Sequence, residues 1–156
     1  MGSQSDTNLA YISGFLDGDG SLMLQLKKRK DSSRKWRFMC TICFYQDSRH
    51  KKPLSWIKQT LGVGYLSDRN DGMTELRING FKQIRLILER LIPFIKFKEV
   101  QAKALYKACT LLEQSRIAQN DLKKLADLLV QIQSANYSTR KKKSLEEIYN
   151  LLDLTP

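Results

Sequence analysis

No apolar run in the sequence comes near the roughly 20 residues that a membrane-spanning helix needs, so no membrane partner is expected. A charged-then-apolar leader is missing from the start as well. Met-Gly-Ser-Gln-Ser-Asp lacks the Ser or Thr at position six of a myristoylation signal, and residues 1–6 are expected to be a flexible leader ahead of one domain spanning 7–156. Cysteine is scarce: three, an odd number without a secretion signal, point to reduced thiols rather than a disulfide framework. Cys40 and Cys43 have the spacing of a redox or zinc pair, but no second pair completes a zinc site. Period-two alternation in a strand would also put them on opposite faces. The last deficit is acidic residues, 16 against 27 Lys and Arg, giving +11 and a pI near 9.7. A polyanionic partner is the default inference, and no small-molecule substrate or organic cofactor is suggested.

What is present centres on Ile12-Ser13-Gly14-Phe15-Leu16-Asp17-Gly18-Asp19-Gly20. As a helix, Leu9, Ile12 and Leu16 form an apolar stripe, and Ala10, Ser13, Gly14, Asp17 and Gly18 form a second stripe of small side chains. A stripe without bulk lets another backbone come close. Gly18 and Gly20 are expected to end the helix with left-handed backbone angles. Asp19 then sits at the carboxyl end, where an anion is costly unless a cation or proton joins it. Asp-Gly pairs also mark ordinary turns. A calcium loop fails on register, with Leu22 where Gly is needed and Lys28 where Glu is needed.

Ser21 to Lys30 alternates as a half-buried strand with Leu22, Leu24 and Leu26 on one face. A second strand runs from Trp36 to Gln46 with Phe38, Cys40, Ile42 and Phe44 inward. Pro53 to Leu61 reads as a short amphipathic helix stopped by Gly62. Val63–Asp68 and Met73–Asn79 form a hairpin through Asn70-Asp71-Gly72. The remainder reads helical: Phe81 to Leu91, Val100 to Leu112, and a segment holding Leu122, Leu125, Leu129 and Ile132. The expectation is an α+β fold, one antiparallel sheet covered on one face.

The uncovered face would carry Gln25, Lys27, Arg29, Arg37, Arg69, Glu75 and Arg77. A solvated sheet is also polar, but a twisted ribbon bearing four arginines fits the DNA major groove, where Arg and Gln pair with base edges. Near the end, Ser138-Thr139-Arg140-Lys141-Lys142-Lys143 is a solvated linker or a phosphate-contacting run.

The nine-residue stretch resembles the signature of the LAGLIDADG homing endonucleases, matched as they stand by Gly14, Asp17, Asp19 and Gly20. Gly62-Val63-Gly64-Tyr65, Asp68-Arg69 and Pro93-Phe94-Ile95-Lys96-Phe97-Lys98 before Gln101-Ala102 resemble further segments, covering residues 8 to 143. The resemblance implies an αββαββα core plus C-terminal helices, with a saddle-shaped four-stranded antiparallel sheet. It also implies site-specific hydrolysis of both strands of a long pseudo-palindromic DNA site, leaving short 3′ overhangs. Asp19 is then the metal ligand with the Gly18 carbonyl, for magnesium, with manganese or calcium able to substitute. Gln46 positions water and Lys98 belongs to the transition-state surroundings, while His50 stands where the family has another basic residue. Groove contacts carry over to Gln25, Lys27, Arg29, Arg37, Met39, Cys43, Ser67, Arg69, Glu75 and Arg77, and backbone contacts to Ser138, Arg140, Lys141 and Lys142.

One copy of the motif has a further consequence. If the small-residue face of Ser13, Gly14, Asp17 and Gly18 packs on a copy of itself, the partner is a second chain related by a two-fold axis, a homodimer. An organelle that encodes the protein in situ, chloroplast or mitochondrion, is the expected compartment, with a prokaryotic cytoplasm as the alternative. The rival functions are a non-cleaving binder of the same fold, such as an intron-RNA maturase or a regulator, and a generic basic RNA-binding protein.

Overall fold

Helix α1, Asp6–Asp19, runs without a loop into strand β1, Gly20–Lys28, in a computed structural model that describes residues 5–30, 35–137 and 139–156. Ser5 caps the helix, its Oγ accepting from the Asn8 amide at 3.3 Å, and Asp6 supplies the negative charge favoured in a first turn. The expected leader is therefore too long: Ser5 and Asp6 belong to the fold, and residues 1–4 lie outside the described residues.

The way α1 ends also differs from expectation. Gly18 lies inside the helix and Gly20 is extended, φ −98° and ψ 172°, so neither uses a left-handed angle. Gly20 is needed for room instead. A Cβ there would sit 2.9 Å from both the Leu16 Cα and the Leu16 carbonyl oxygen. Because a helical turn and the start of a strand share one small volume, only a missing side chain fits between them.

After β1 come β2, Trp36–Asp47, a 3₁₀ turn at Ser48–His50, α2, Lys52–Leu61, and the hairpin of β3, Tyr65–Asp68, and β4, Met73–Asn79. Four helices follow: α3, Phe81–Leu91, α4, Glu99–Leu112, α5, Gln119–Ala135, and α6, Leu145–Leu151. The sheet is antiparallel in the order β1-β2-β4-β3. Gly62 ends α2 as expected, at φ 78°. β1 stops at Lys28, two residues early, and β3 starts at Tyr65 because Gly64, at φ 100°, turns the chain before it can pair.

Even-numbered residues of the long strands form the core face. Leu22, Leu24, Cys40, Ile42, Phe44, Leu76 and Ile78 are buried there beneath the helices, joined by Ile12, Leu16, Leu88 and Leu105. Each such aliphatic side chain contributes about 1.5–3 kcal/mol on leaving water. Phe44 stacks on Phe15 of α1 at 6.1 Å between ring centres, fixing the motif helix to the middle of the sheet. The odd-numbered face is left without a helix, and it is the face on which the polar residues fall.

Gly20→Ala should lower the unfolding free energy by about 1–3 kcal/mol in urea denaturation, the usual cost of overpacking. An unchanged midpoint would show that the helix–strand junction has slack.

Candidate functional site

The carboxyl end of α1 is held by two interactions that run in opposite directions. The Asp17 carboxylate accepts the backbone N–H groups of Lys96 at 2.7 Å, Phe97 at 3.2 Å and Lys98 at 3.0 Å. The Lys98 Nζ reaches back to donate to the carbonyls of Leu16 at 2.9 Å and Gly20 at 2.6 Å. An acid of the helix thus collects the orphan amides before α4, and a base from that loop neutralises the negative end of α1. Burial pushes the Lys98 amine below the usual lysine range, while the charges of Asp17 and Asp19 pull the other way.

Asp19 stands one residue from this clamp, exposed, with no hydrogen bond or ion pair among the described residues. Phe44 pairs with Gly20, and Gln46 lies two residues further along β2, at the end of that strand next to the α1–β1 junction. Its Oε1 accepts from the Asp47 amide at 2.9 Å, which leaves its amide N–H groups for other partners. Of the expected centre residues, Lys98 is thus bonded to the end of α1 that carries Asp19, and Gln46 lies at the adjoining end of β2.

His50 is exposed in the 3₁₀ turn beyond them. Its basic neighbours are engaged: Arg49 donates twice to Asp47, at 2.8 and 3.0 Å, and Lys51 pairs with Asp68 at 2.9 Å. Arg49 holds the Asp47 carboxyl well below the usual range, and Asp68 is lowered by the Thr74 hydroxyl and then by Lys51.

The fit of a divalent cation can be read from the donors. Asp19 and the last-turn carbonyl of Gly18 are hard oxygen ligands, and Asp17 is already occupied. No group of three His, Cys, Asp or Glu side chains converges among the described residues. Asp19 and the Gly18 carbonyl are fewer donors than the six or more oxygens that a divalent cation takes.

On the open sheet face, cross-strand neighbours run Lys27 with Arg37, Gln25 with Met39, Met23 with Thr41 and Asn79, then Ser21 with Cys43, Arg77 and Tyr65. Tyr45, Glu75 and Ser67 form the next row. Arg29 and Arg69 lie just beyond their strand ends and are exposed, Arg69 pairing with Asp71 at 2.8 Å. Arg77 donates through Nε to Glu75 at 3.1 Å, which holds the guanidinium charged.

Cys43 must be corrected. It lies on this face but is fully buried, and burial pushes its thiol up, so it forms the floor of the row rather than a reader. Thr41 and Tyr45, which alternation puts on this face, and Tyr65 and Asn79 join it without being among the expected groove contacts. Thr41 donates to Asn79 at 2.9 Å, Asn79 to Tyr65 at 3.4 Å, and Tyr45 bonds Ser21 at 3.1 Å. Their odd numbering was the available signal.

The expected small-residue stripe also needs correction. Ser13 is fully buried and donates to the Leu91 carbonyl at 3.1 Å, and Asp17 faces its own chain. The outward face of α1 is instead Thr7, Tyr11, Gly14 and Gly18, and a Cβ on either glycine would meet nothing within 4 Å. In the basic run, Arg140, Lys141 and Lys142 precede α6 and are all exposed, while Ser138 lies outside the described residues.

With this geometry in hand, the comparisons are specific. The LAGLIDADG endonuclease family matches residues 12–107. DNA endonuclease I-CvuI of Chlorella vulgaris is 33% identical over 94 residues, covering 60% of this chain and 58% of its own length. DNA endonuclease I-CreI of Chlamydomonas reinhardtii is 28% identical over 145 residues, covering 93% of this chain and 88% of its own. The crystal structure of I-CvuI with its target and calcium superposes with a TM-score of 0.86 at 25% identity, over 95% of this chain and 94% of that one. A crystal structure of I-CvuI with the I-CreI target in the presence of magnesium, the DNA uncleaved, has the same TM-score. The meganuclease I-CpaMI, bound to uncleaved DNA, shares the fold at TM-score 0.75 and 20% identity, but this chain, 94% covered, spans only 49% of it.

Asp17→Ala leaves the amides of residues 96–98 without their acceptor. It should cost about 1–3 kcal/mol in denaturation and abolish hydrogen-exchange protection at those amides. Retained protection would remove Asp17 from the clamp.

Proposed function

The chain belongs to the LAGLIDADG endonuclease family, and from that premise we propose that it is a homodimeric, site-specific DNA endonuclease acting as one domain, resident in the organelle that encodes it. It cuts both strands of a pseudo-palindromic duplex by divalent-metal-dependent hydrolysis and leaves short 3′ overhangs. The observation that supports the reading is Asp19 beside the clamped Lys98 at one end of α1, with Gln46 at the adjoining end of β2 and an open sheet face lined with Arg, Lys and Gln.

The glycine face of α1 supports the dimer. Gly14 inside a helix costs about 0.5–1 kcal/mol relative to Ala, and nothing among the described residues touches the place of its Cβ. A second α1 packed closely there supplies the reason for the glycine. On that two-fold the Asp19 carboxylates meet, and at roughly 6 Å in an effective dielectric of 20 they repel by about 3 kcal/mol. A divalent cation, magnesium by this reading with manganese or calcium able to substitute, removes that repulsion and supplies Lewis acidity at the phosphate.

The chain's own groups do the rest. Gln46 uses its free amide to orient the attacking water. Lys98, fixed by the Leu16 and Gly20 carbonyls, holds positive charge beside the phosphorane-like transition state. Gln25, Lys27, Arg29, Arg37, Met39, Ser67, Arg69, Glu75 and Arg77 face the major groove, and Arg140, Lys141 and Lys142 meet phosphates.

A randomised duplex library offered with magnesium should be cut at one pseudo-palindrome by the parent, and bound without cutting by Asp19→Asn. A parent that binds and never cuts with any divalent metal would give the protein to the non-cleaving binders. Gly14→Leu should halve the mass seen by light scattering; a dimer that survives it would place the interface elsewhere.

A further inference from the structure

The clamp at the end of α1 continues one turn further into α4. Gln101, three residues after Lys98 and so on the same side of the helix, is buried and donates through Nε2 to the Ala135 carbonyl at 3.1 Å and to the Asn136 Oδ1 at 3.4 Å. Ala135 is the last residue of α5 and Asn136 its cap, so the first bond meets a carbonyl that the helix itself leaves without a partner. Asn136 passes the contact on, its Nδ2 donating to the Leu22 carbonyl at 3.2 Å. The relay has a direction: each amide gives an N–H to the next oxygen, and the last oxygen belongs to β1.

That endpoint matters. β1 is an edge strand of the sheet, and α4 and α5 both pack against it. Carbonyl directions alternate along a strand, so the Gly20 and Leu22 carbonyls point the same way. Lys98 donates to the first at 2.6 Å and Asn136 to the second. α4 is thus fixed to one side of β1 twice, directly through Lys98 and, one turn later, through Gln101 and Asn136. Filling space against β1 needs only an apolar side chain, and a buried amide put there instead must have its polar atoms met. A glutamine whose buried donors lead to β1 sets the height of α4 on the strand as well as its packing.

We propose that Gln101 is a positioning residue that acts through Lys98, fixing the level at which α4 meets β1 and so the reach of the Lys98 Nζ at the cleavage centre. The inference rests on the endonuclease reading and extends it to a buried residue outside the groove-facing set. An ammonium on a flexible four-carbon stem gains little precision from two carbonyls alone, because it follows them if α4 slides. A second tie to the same strand, one turn away, removes the slide. Such precision matters beside a transition state, where a displacement of about 1 Å can cost roughly a hundredfold in rate.

The test uses the full-length protein and the duplex it cleaves, with binding and single-turnover cleavage measured separately. Gln101→Met keeps the length of the side chain and removes the relay. It should bind the duplex like the parent, cut it roughly tenfold more slowly at saturation, and lose hydrogen-exchange protection at the amides of residues 96–98. In a Lys98→Ala background the same substitution should slow cleavage no further, the non-additivity of two residues that act as one unit. Asn136→Asp, which keeps the acceptor for Gln101 and removes the donor to Leu22, should give the same pattern and decides the matter if Gln101→Met does not fold. A folded variant of either kind that cuts at the parent rate overturns the inference. So does a loss of binding equal to the loss of cleavage, or a full further loss in the Lys98→Ala background. A parent that cuts no duplex overturns the endonuclease reading, and the part of Gln101 in cleavage with it.

Discussion

The reciprocal bonds between α1 and the segment before α4 are the constraint on which the centre depends. Asp17 gathers three backbone amides and Lys98 returns two bonds to backbone carbonyls, so each charge is met by peptide dipoles rather than only by the other charge. Such pairing suits a half-buried place, where an isolated ion would be expensive and a bare ion pair would gain little over its desolvation. It also separates the duties of two aspartates two residues apart. Asp17 is spent on structure, and that leaves Asp19 as an unpaired carboxylate whose backbone is fixed to within the play of one helical turn.

That separation explains how far the sequence could be read. The element order, the inward Leu22, Leu24, Ile42 and Phe44, and the sheet's open face follow from period-two alternation, which the pleat enforces residue by residue. The motif's role for Asp19 came from resemblance rather than from spacing. The inward turn of Ser13 and Asp17 was not legible, because a small polar residue on a helix can serve a partner chain or its own chain equally well. The choice was made by the Leu91 carbonyl and the amides of 96–98, some 80 residues away. Gly20 was misread for a related reason: glycine can answer a demand for unusual angles or for space, and only the Leu16 contact distinguishes them.

The same limit applies to Cys43. Alternation assigns a face but not a depth, and a short side chain between the longer Arg77 and Tyr45 is covered by them. Depth on a polar sheet is set by neighbouring side-chain lengths across three strands, information that a single strand's pattern does not contain.

The basic residues divide into two populations, and the division bears on how recognition is built. Arg49, Arg69 and Arg77 are each paired with a carboxylate two residues away, and Lys51, at the start of α2, pairs with Asp68 of β3. The exposed pairs of Arg49, Lys51 and Arg69 add little stability, but they, like the largely buried pair of Arg77 with Glu75, fix the direction of the cation and reduce the net field at that part of the face. Lys27, Arg29, Arg37, Arg140 and Lys141 are exposed and carry no such pair among the described residues. Unpaired cations at the strand tips and the C-terminal loop attract a polyanion over distance, and they do so whatever its sequence. The paired ones can exchange a carboxylate for a base edge only where the base offers acceptors in the right place, since otherwise the exchange loses a bond. The unpaired cations thus lie at the periphery, and of the four paired ones Arg77 alone stands within a strand of the sheet, where such an exchange would be read between its neighbours Cys43 and Tyr65.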